Sequence, residues 1–340
     1  MYKVSICTPI YGVEKYIERC ARSLFEQTYP NIEYVFINDC TPDGSIEILK
    51  KLICYYPNRK DSIKIISHEY NKGLAAARNT AIANSTGDFV IHVDGDDSID
   101  IHTVEKLVNH QIAHNSDIVC FDAIAKYVHH TKMLVKDDYD SPKDLLLKML
   151  AGKAQHQVWG HFIRMDLYKK HKIAAIEGVN QAEDYQVMPR LVYYAQSVST
   201  LHEALYFYDC TRESSFTNNF NISSLKQIDR AEEILSVFFA DKEQCYITAI
   251  KKREASRIAA RMKTASLFDD DSYYDNLLKC RDGLPHKYKG IDSLPYIIIM
   301  FLKHKSIVRL FVKSYRFLKK YYMKSKIKKI VRYKAFLRRQ

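Results

Sequence analysis

The feature that most constrains this chain is the rhythm of its amino-terminal part, where short apolar runs that end in polar or turn-forming clusters alternate with helical patterns. Val4 to Thr8, Ile32 to Ile37, Ile63 to Ser67 and Phe89 to Val93 read as strands. Between the first two, Val13, Ile17, Cys20, Ala21, Leu24 and Phe25 recur at helical spacing, with Glu14, Lys15, Glu18 and Arg22 on the opposite side. Ser45 to Tyr56 and the Ala-rich Leu74 to Asn84 supply the next two helices. Such alternation predicts parallel β-α-β units, hence an α/β, doubly wound sheet with helices on both faces. Ligands in such sheets sit at the carboxyl ends of the strands. Pro9-Ile10-Tyr11, Asn38-Asp39 and Asp94-Gly95-Asp96-Asp97 are all strand carboxyl ends, so they are expected to share one crevice. The glycine fingerprint G-x-G-x-x-G is absent, which excludes the usual dinucleotide motif.

Asp94, Asp96 and Asp97 repel one another unless a cation lies among them. Hard oxygen ligands suit Mg²⁺ or Mn²⁺, and an ion held by only one or two carboxylates keeps positions open for phosphates. The alternative is an acidic turn that caps the next helix through Asp97 or Asp100.

Farther on, Thr103 to His114 is helical, Ile118 to Ala125 is an apolar strand, and Tyr127 to Asp140 reads as a polar hairpin or loop. Pro142 to Ala151 is a helix with proline in its first turn. Gln157 to Arg164 carries the only tryptophan, Trp159, beside Gly160. Glu183 and Asp184 open a short helix that continues to Ala195, and Leu205 to Asp209 is the last convincing strand, followed by Thr211 to Ser215. From Ile222 onward the pattern is helical.

Taken in order, these segments resemble the family 2 glycosyltransferases of the GT-A fold, inverting enzymes that use nucleotide sugars. The resemblance covers roughly Lys3 to Ser215. It rests on Ser5-Ile-Cys-Thr-Pro-Ile-Tyr11, Glu33-Tyr-Val-Phe-Ile-Asn-Asp-Cys-Thr-Pro-Asp-Gly-Ser45, Asn71-x-Gly-x-x-x-Ala-Arg-Asn79, Asp94-Gly-Asp-Asp97 and Glu183-Asp184. It implies a Rossmann-like mixed sheet flanked by helices, with a nucleotide-binding half over about residues 1–100 and an acceptor half over about 101–218. A helical extension, 219–293, would follow. It also implies roles. Asp39 would bind the nucleobase, with Pro9 and Tyr11 lining the base and ribose pocket. Arg78 would lie near the donor phosphates or base, and Asp94 would face the ribose or sugar. Asp96, with Asp97 as a possible second ligand, would hold Mn²⁺ or Mg²⁺ on the diphosphate. Asp184 would be the base that deprotonates the acceptor hydroxyl, and Arg212 could cover the diphosphate. The chain departs from the pattern at Asn38, where the family usually has a first aspartate, and at His161, where a lysine is common after the Trp-Gly pair.

The same residues have plainer readings. Glu183 and Asp184 could compensate a helix dipole, Arg78 could be a solvated helix charge, and Arg212 a loop ion pair. Trp159 could pack in the core or stack on an acceptor sugar, with Glu183 also on the acceptor side. Adjacent on a helix, Glu183 and Asp184 are expected to diverge and so cannot straddle one glycosidic bond as a hydrolase pair must.

Charge is distributed unevenly. From Lys303 to Gln340 there are 15 Lys and Arg and no acid, which leaves 37 basic against 40 acidic residues before it. Ile307, Phe311, Tyr315, Leu318 and Tyr322 recur at helical steps among these cations, the pattern of a basic amphipathic helix on an anionic membrane surface. Residues 294–340 are therefore expected to be a membrane-associating tail, although packing on the protein is an alternative and nucleic-acid binding has no motif to support it. No apolar stretch reaches the ~20 residues of a membrane span. The start Met1-Tyr-Lys-Val-Ser lacks signal-peptide regions, and the eight cysteines are widely spaced without a zinc pattern. These features together suggest a cytoplasmic protein on the inner face of the membrane. The expected activity is glycosyl transfer from a nucleotide sugar, UDP-linked by preference, to a glycan or lipid-linked acceptor in surface polysaccharide synthesis; the alternative is a non-catalytic nucleotide-binding membrane scaffold.

Overall fold

The computed structural model describes residues 1–212, 221–284, 294–302 and 304–315. The chain forms two compact units, Met1–Ile250 and Lys251–Gln340.

The first unit runs β1 (Val4–Ile10), α1 (Ile17–Phe25), β2 (Ile32–Asn38), α2 (Ser45–Ile53), β3 (Ile63–Ser67), α3 (Leu74–Ala83) and β4 (Phe89–His92). It continues with β5 (Ser98–Ile99), α4 (Thr103–His114), β6 (Ile118–Lys126), β7 (Thr131–Leu134), α5 (Pro142–Leu150), β8 (His161–Arg164) and α6 (Met165–Lys170). After these come α7 (Glu183–Tyr194), β9 (Val198–Asp209), α8 (Ile222–Phe238) and α9 (Gln244–Lys251). The strands make one sheet in the order β3-β2-β1-β4-β8-β6-β9-β5, with β7 paired to β6. Its first four strands are parallel, as the alternation of strand and helix requires. Beyond them β8 runs antiparallel between β4 and β6, and β9 pairs parallel with β6. The GT-A architecture is thus a parallel half joined to a mixed half.

Period-two alternation decides which face each side chain serves. On one face Ile6, Tyr34, Phe36, Phe89, Ile91, Val119 and Phe121 pack against α1, α2 and α4 residues such as Ile17, Leu24, Leu49 and Leu107. On the other, Cys7, Val35, Ile37, Val90, Ile118 and Cys120 meet the α3 alanines, Leu146, Met149, Met188 and Leu191. Ser141 caps α5 by accepting from Asp144 N–H at 3.2 Å, with Pro142 in the first turn.

Two elements differ from the sequence expectation. β8 is a strand although its run is short and carries His161 and Arg164, because it is covered between two neighbours. β9 begins at Val198, ahead of its apolar core, since Ser199, Thr200 and Leu201 pair with β6. The first compact unit runs to Ile250 and takes in the first helices after 218. Leu235 and Phe239 belong to its core, and Gln227 Oε1 on α8 accepts from Asn180 N and Gln181 N at 2.8 and 3.0 Å.

The second unit holds α10 (Glu254–Ala265), α11 (Asp271–Asp282), α12 (Leu294–Phe301) and a helical stretch over 305–315. Ala255, Ile258, Ala259, Met262 and Ala265 form the buried stripe of α10, and Asp270 caps α11 through Tyr273 N–H at 2.9 Å. Arg281 is buried and donates to Leu302 O at 2.8 Å.

Candidate active site

At the carboxyl end of β2 the chain turns on hydrogen bonds of its own side chains. Asn38 Oδ1 accepts from Thr41 N at 2.9 Å, and Gly12 N donates to Thr41 Oγ1 at 2.8 Å. Asp39 is buried. Its Oδ1 accepts from Lys72 N at 2.8 Å and meets His68 Nδ1 at 2.7 Å, while Oδ2 accepts from Gly73 N at 2.8 Å. It thus staples the turn before α3 and keeps one acceptor position on Oδ2. Tyr11 stands exposed beside it on the β1 turn, and Pro9 precedes that turn at the end of the strand.

The Asn71-x-Gly73 motif has a geometric cause. Gly73 has φ +88°, and a Cβ there would lie 2.3 Å from the Asn180 side chain. That side chain accepts from Ala75 N at 3.0 Å, which joins the start of α3 to the loop before α7. Asn79 clamps the same loop, exchanging hydrogen bonds with Ala175 N and O at 2.9 and 2.8 Å. Between these clamps lies Arg78.

The guanidinium of Arg78 is the hub of the site. It lies 3.0 Å from Asp94 Oδ1, 3.3 Å from Glu183 Oε1 and 3.9 Å from Asp184 Oδ1. The contact to Asp94 is one of charge, since Asp94 Oδ1 and Asp184 Oδ1 are buried without an aligned hydrogen bond. The resemblance implies a place near the donor phosphates or base for Arg78; in the structure its guanidinium lies among carboxylates. Glu183 and Asp184 do not diverge either, because both reach this one cation and hydrogen-bond each other. The helix they open is entered through Ala182 at φ +60°, a left-handed conformation that alanine adopts only under constraint.

Electrostatics follows from this crowding. Burial, the Glu183 charge and too little compensation from Arg78 push Asp184 well above the usual carboxylate range. Burial also raises Asp94 and Glu183, against the pull of Arg78. His92 is held neutral by burial and the Arg78 charge, and hydrogen-bonds Tyr168 Oη at 3.2 Å. Arg78, Glu183 and Asp184 line a cavity of about 350 Å³ whose other walls include Ile82, Val158, Ile173 and Val187.

Within the acidic turn the aspartates divide. Asp96 Oδ2 accepts from Arg212 Nη1 at 2.8 Å, and Arg212 Nη2 donates to Gly12 O at 2.9 Å. Asp97 is fully buried, and both of its oxygens are committed to β9. Oδ2 accepts from Tyr206 Oη at 2.6 Å and Oδ1 from Asp209 N at 2.8 Å. It does not cap α4, which starts at Thr103 behind Asp100 and His102. As a second metal ligand it would have to share these oxygens with Tyr206 Oη and Asp209 N. Tyr206 Oη also accepts from Asp94 N at 3.1 Å, and its ring stacks on Trp159 at 4.8 Å. Trp159 is buried, so it acts here as the packing support for Tyr206. Glu213, Ser214 and Ser215, expected beside Arg212, lie outside the described residues.

The donor set suits a hard divalent cation. Asp96 is partly exposed, crowded by like charge, and already faced by a cation in Arg212. Among the described residues no group of three or more His, Cys, Asp or Glu side chains could hold an ion alone, so a metal here would need oxygens of the ligand. Asn180, Gly73 and Tyr206 were missed as site residues from sequence. A glycine directly before the Ala-rich α3 was the available signal for Gly73; none marked Asn180.

Residues 5–171 match the family described as glycosyl transferase family 2. The chain is 31% identical over 214 residues to a glycosyltransferase, EpsJ, of Bacillus subtilis, a match that takes in 60% of each chain. It thus spans about 60% of the length of such curated relatives. In fold it is similar to residues 1–349 of Staphylococcus aureus TarS, solved with UDP-GlcNAc, with TM-score 0.70, 23% identity, and 92% and 91% of the two chains covered. It is also similar to a Pyrobaculum calidifontis mannosyltransferase solved with GDP-Man and Mn²⁺, with TM-score 0.56, 14% identity and coverage of 92% and 84%. With its motifs placed on one sheet end in this way, residues 5–171 of the chain belong to glycosyl transferase family 2.

Proposed function

We propose that the chain transfers a sugar from a nucleoside-diphosphate sugar, with uridine as the preferred base, to a hydroxyl of a glycan or lipid-linked acceptor, inverting the anomeric centre. The observation that carries this reading is the convergence of Asp94, Glu183 and Asp184 on Arg78, beside Asp96, at the carboxyl end of the sheet. Asp39, with its remaining acceptor position, and Tyr11 serve the base and ribose. The relatives solved with UDP-GlcNAc and GDP-Man support a nucleotide sugar as donor. TarS, named for poly(ribitol-phosphate) glycosylation, supports a polymeric acceptor.

Asp184 takes the proton of the acceptor hydroxyl, a step worth about 10²–10⁴-fold. Glu183 is held on Arg78 and orients Asp184. Both carboxylates sit on one guanidinium, so they do not flank a glycosidic bond from opposite sides as a hydrolase pair does, which supports a single displacement with one base. Asp94 aims at the donor sugar or ribose, its N–H fixed by Tyr206. Asp96 would hold Mn²⁺ or Mg²⁺, which when bound supplies Lewis-acid stabilisation to the leaving diphosphate. Arg212 adds a second positive group on that side.

A membrane surface is the partner proposed for the carboxy-terminal stretch, in which Lys305 and Arg309 already pair with Asp271 and Asp269. Along 305–315 Val308 and Val312 are buried, whereas Ile307, Leu310 and Tyr315 stay exposed beside the cations. No described helix is long and apolar enough to cross a membrane. Leu318 and Tyr322, the rest of the expected stripe, lie outside the described residues. An anionic lipid surface on the cytoplasmic side would then hold the enzyme near a lipid-linked acceptor.

A panel of nucleotide sugars assayed with Mn²⁺, with the product anomer read by NMR, tests the reaction. Asp184→Asn should lose transfer and keep UDP binding; turnover equal to the parent would overturn the assignment. Replacing Ile307, Leu310 and Tyr315 by Gln should weaken sedimentation with anionic vesicles about tenfold or more.

A further inference from the structure

The catalytic cluster is short of positive charge. Three carboxylates, the buried Glu183 and the partly exposed Asp94 and Asp184, whose Oδ1 atoms are buried, share the guanidinium of Arg78. A base must be ionised before it can accept a proton, and burial works against that.

A second buried cation lies close by, on the loop after β7. Lys136 is only 3% exposed, and its Nζ has no hydrogen-bond partner. Its backbone N–H is anchored on Asp122 Oδ1 at 2.7 Å. Its side chain passes over Gly160, where a Cβ would stand 3.5 Å from both Cε and Nζ. Gly160 has φ +77°, so this glycine serves both the turn and the passage of the lysine. The same short segment touches the base, since Val158 N–H donates to the Asp184 carboxylate. Val158 to Gly160 therefore touches both the ammonium and the base.

An ammonium buried with no partner is costly to a fold and is rare unless it acts on something. The groups facing it are few. Cys120 on β6 is a neutral thiol pushed up to about 12 by burial, and His161 on β8 is kept neutral by burial and by the lysine charge. The carboxylates it feels are Asp122 on β6 and Asp184 on α7. Burial lowers the lysine to about 8, so at neutral pH it still carries its proton.

We infer that Lys136 is the second cation of the catalytic centre, a positioning residue whose charge, acting through the Val158–Gly160 segment, keeps Asp184 in its proton-accepting form. The inference rests on the reading of Asp184 as the base. It also gives His161 a place: a neutral imidazole, with Nδ1 2.7 Å from Gln157 O, stands where a second positive charge would repel the lysine.

The test uses the full chain. Difference infrared spectra, with Asp184→Asn to assign the band, follow the protonated Asp184 carboxyl across pH in the parent, Lys136→Met and Lys136→Arg. The band should persist to a pH about one unit higher in Lys136→Met than in the parent. Lys136→Arg, which keeps the charge, should stay near the parent. Once a donor is found, Lys136→Met should lower kcat at neutral pH about tenfold with KM within about twofold, and recover as pH rises. Melting temperature should not fall, because an apolar side chain replaces an unpaired buried ion. An identical infrared midpoint in Lys136→Met and the parent would overturn the inference. If the parent turns over no nucleotide sugar, the transferase reading fails, while the infrared comparison still decides whether Lys136 sets the charge of Asp184.

Discussion

The two ends of the parallel half-sheet treat buried acids in opposite ways. At the amino ends of the strands, Glu33 is almost fully buried yet richly served. Its carboxylate accepts from Ser5 Oγ at 2.6 Å, Thr86 Oγ1 at 2.8 Å and Gly87 N at 3.1 Å, and lies 3.0 Å from Lys3 Nζ and 3.2 Å from Lys64 Nζ. Burial alone would raise it, but these hydrogen bonds outweigh that and hold it at about 2. At the carboxyl ends, Asp94, Asp96, Asp97, Glu183 and Asp184 crowd together and all are raised. A satisfied acid ties strands together. An underserved one is ready to take a proton, a metal or a substrate hydrogen bond, and the fold bears the cost.

The contrast breaks most sharply at Arg78. Arg78→Met leaves Asp94, Glu183 and Asp184 without their shared guanidinium and should cost about 3–5 kcal/mol along with transfer activity. The carboxyls can escape by binding protons. Native values raised above unfolded ones mean that the folded state binds more protons, so stability falls as pH rises through that range. Urea titrations at pH 5 and pH 8 should show the variant closer to the parent at the lower pH. A loss independent of pH would mean that Arg78 acts by packing alone.

Glu33→Gln is the opposing case. A native value of about 2 against the ordinary 4.5 of a glutamate carboxyl corresponds to about 3 kcal/mol at neutral pH. That stability is present above 4.5 and is lost as pH falls through about 2. Parent and variant should therefore converge in acid, the reverse of the window for the carboxyl-end acids. Turnover per folded molecule should stay within about twofold, since Glu33 touches nothing at the site.

Sequence reading reached the parallel half almost whole, because β1 to β4 are apolar runs separated by clear helical periods. It did less well where tertiary cover replaced composition. β8 is held between two strands despite His161 and Arg164, and the early part of β9 is polar yet paired to β6. In the candidate site, the order of the motifs pointed Asp94, Asp96 and Asp184 to one sheet end, and the structure brings Asp94 and Asp184 to Arg78. The fan of three acids on Arg78 was not, because it depends on the Asn180 and Asn79 clamps, which bring α3 and α7 together from distant parts of the chain. Lys136 sat in a polar stretch that read as loop. Only the fold shows it buried.

The finest test lies inside the acidic turn, where two neighbours of the same type should behave differently. Asp96 faces Arg212 with partial exposure, so Asp96→Asn should weaken Mn²⁺ activation by tenfold or more, roughly the loss of one charged oxygen ligand. Asp97 has both oxygens on β9, through Tyr206 Oη and Asp209 N. Asparagine there can still accept from Asp209 N, but its amide nitrogen is a donor, and the tyrosine hydroxyl must turn to meet it. That hydroxyl also accepts from Asp94 N–H, so the rearrangement weakens one bond of the pair and should cost about 1 kcal/mol. Asp97→Asn should thus lower the melting temperature by a few degrees and leave the metal concentration for half activation within about threefold. Equal loss of metal response in both variants would make Asp97 a ligand after all, and β9 would then have to release it when the ion binds.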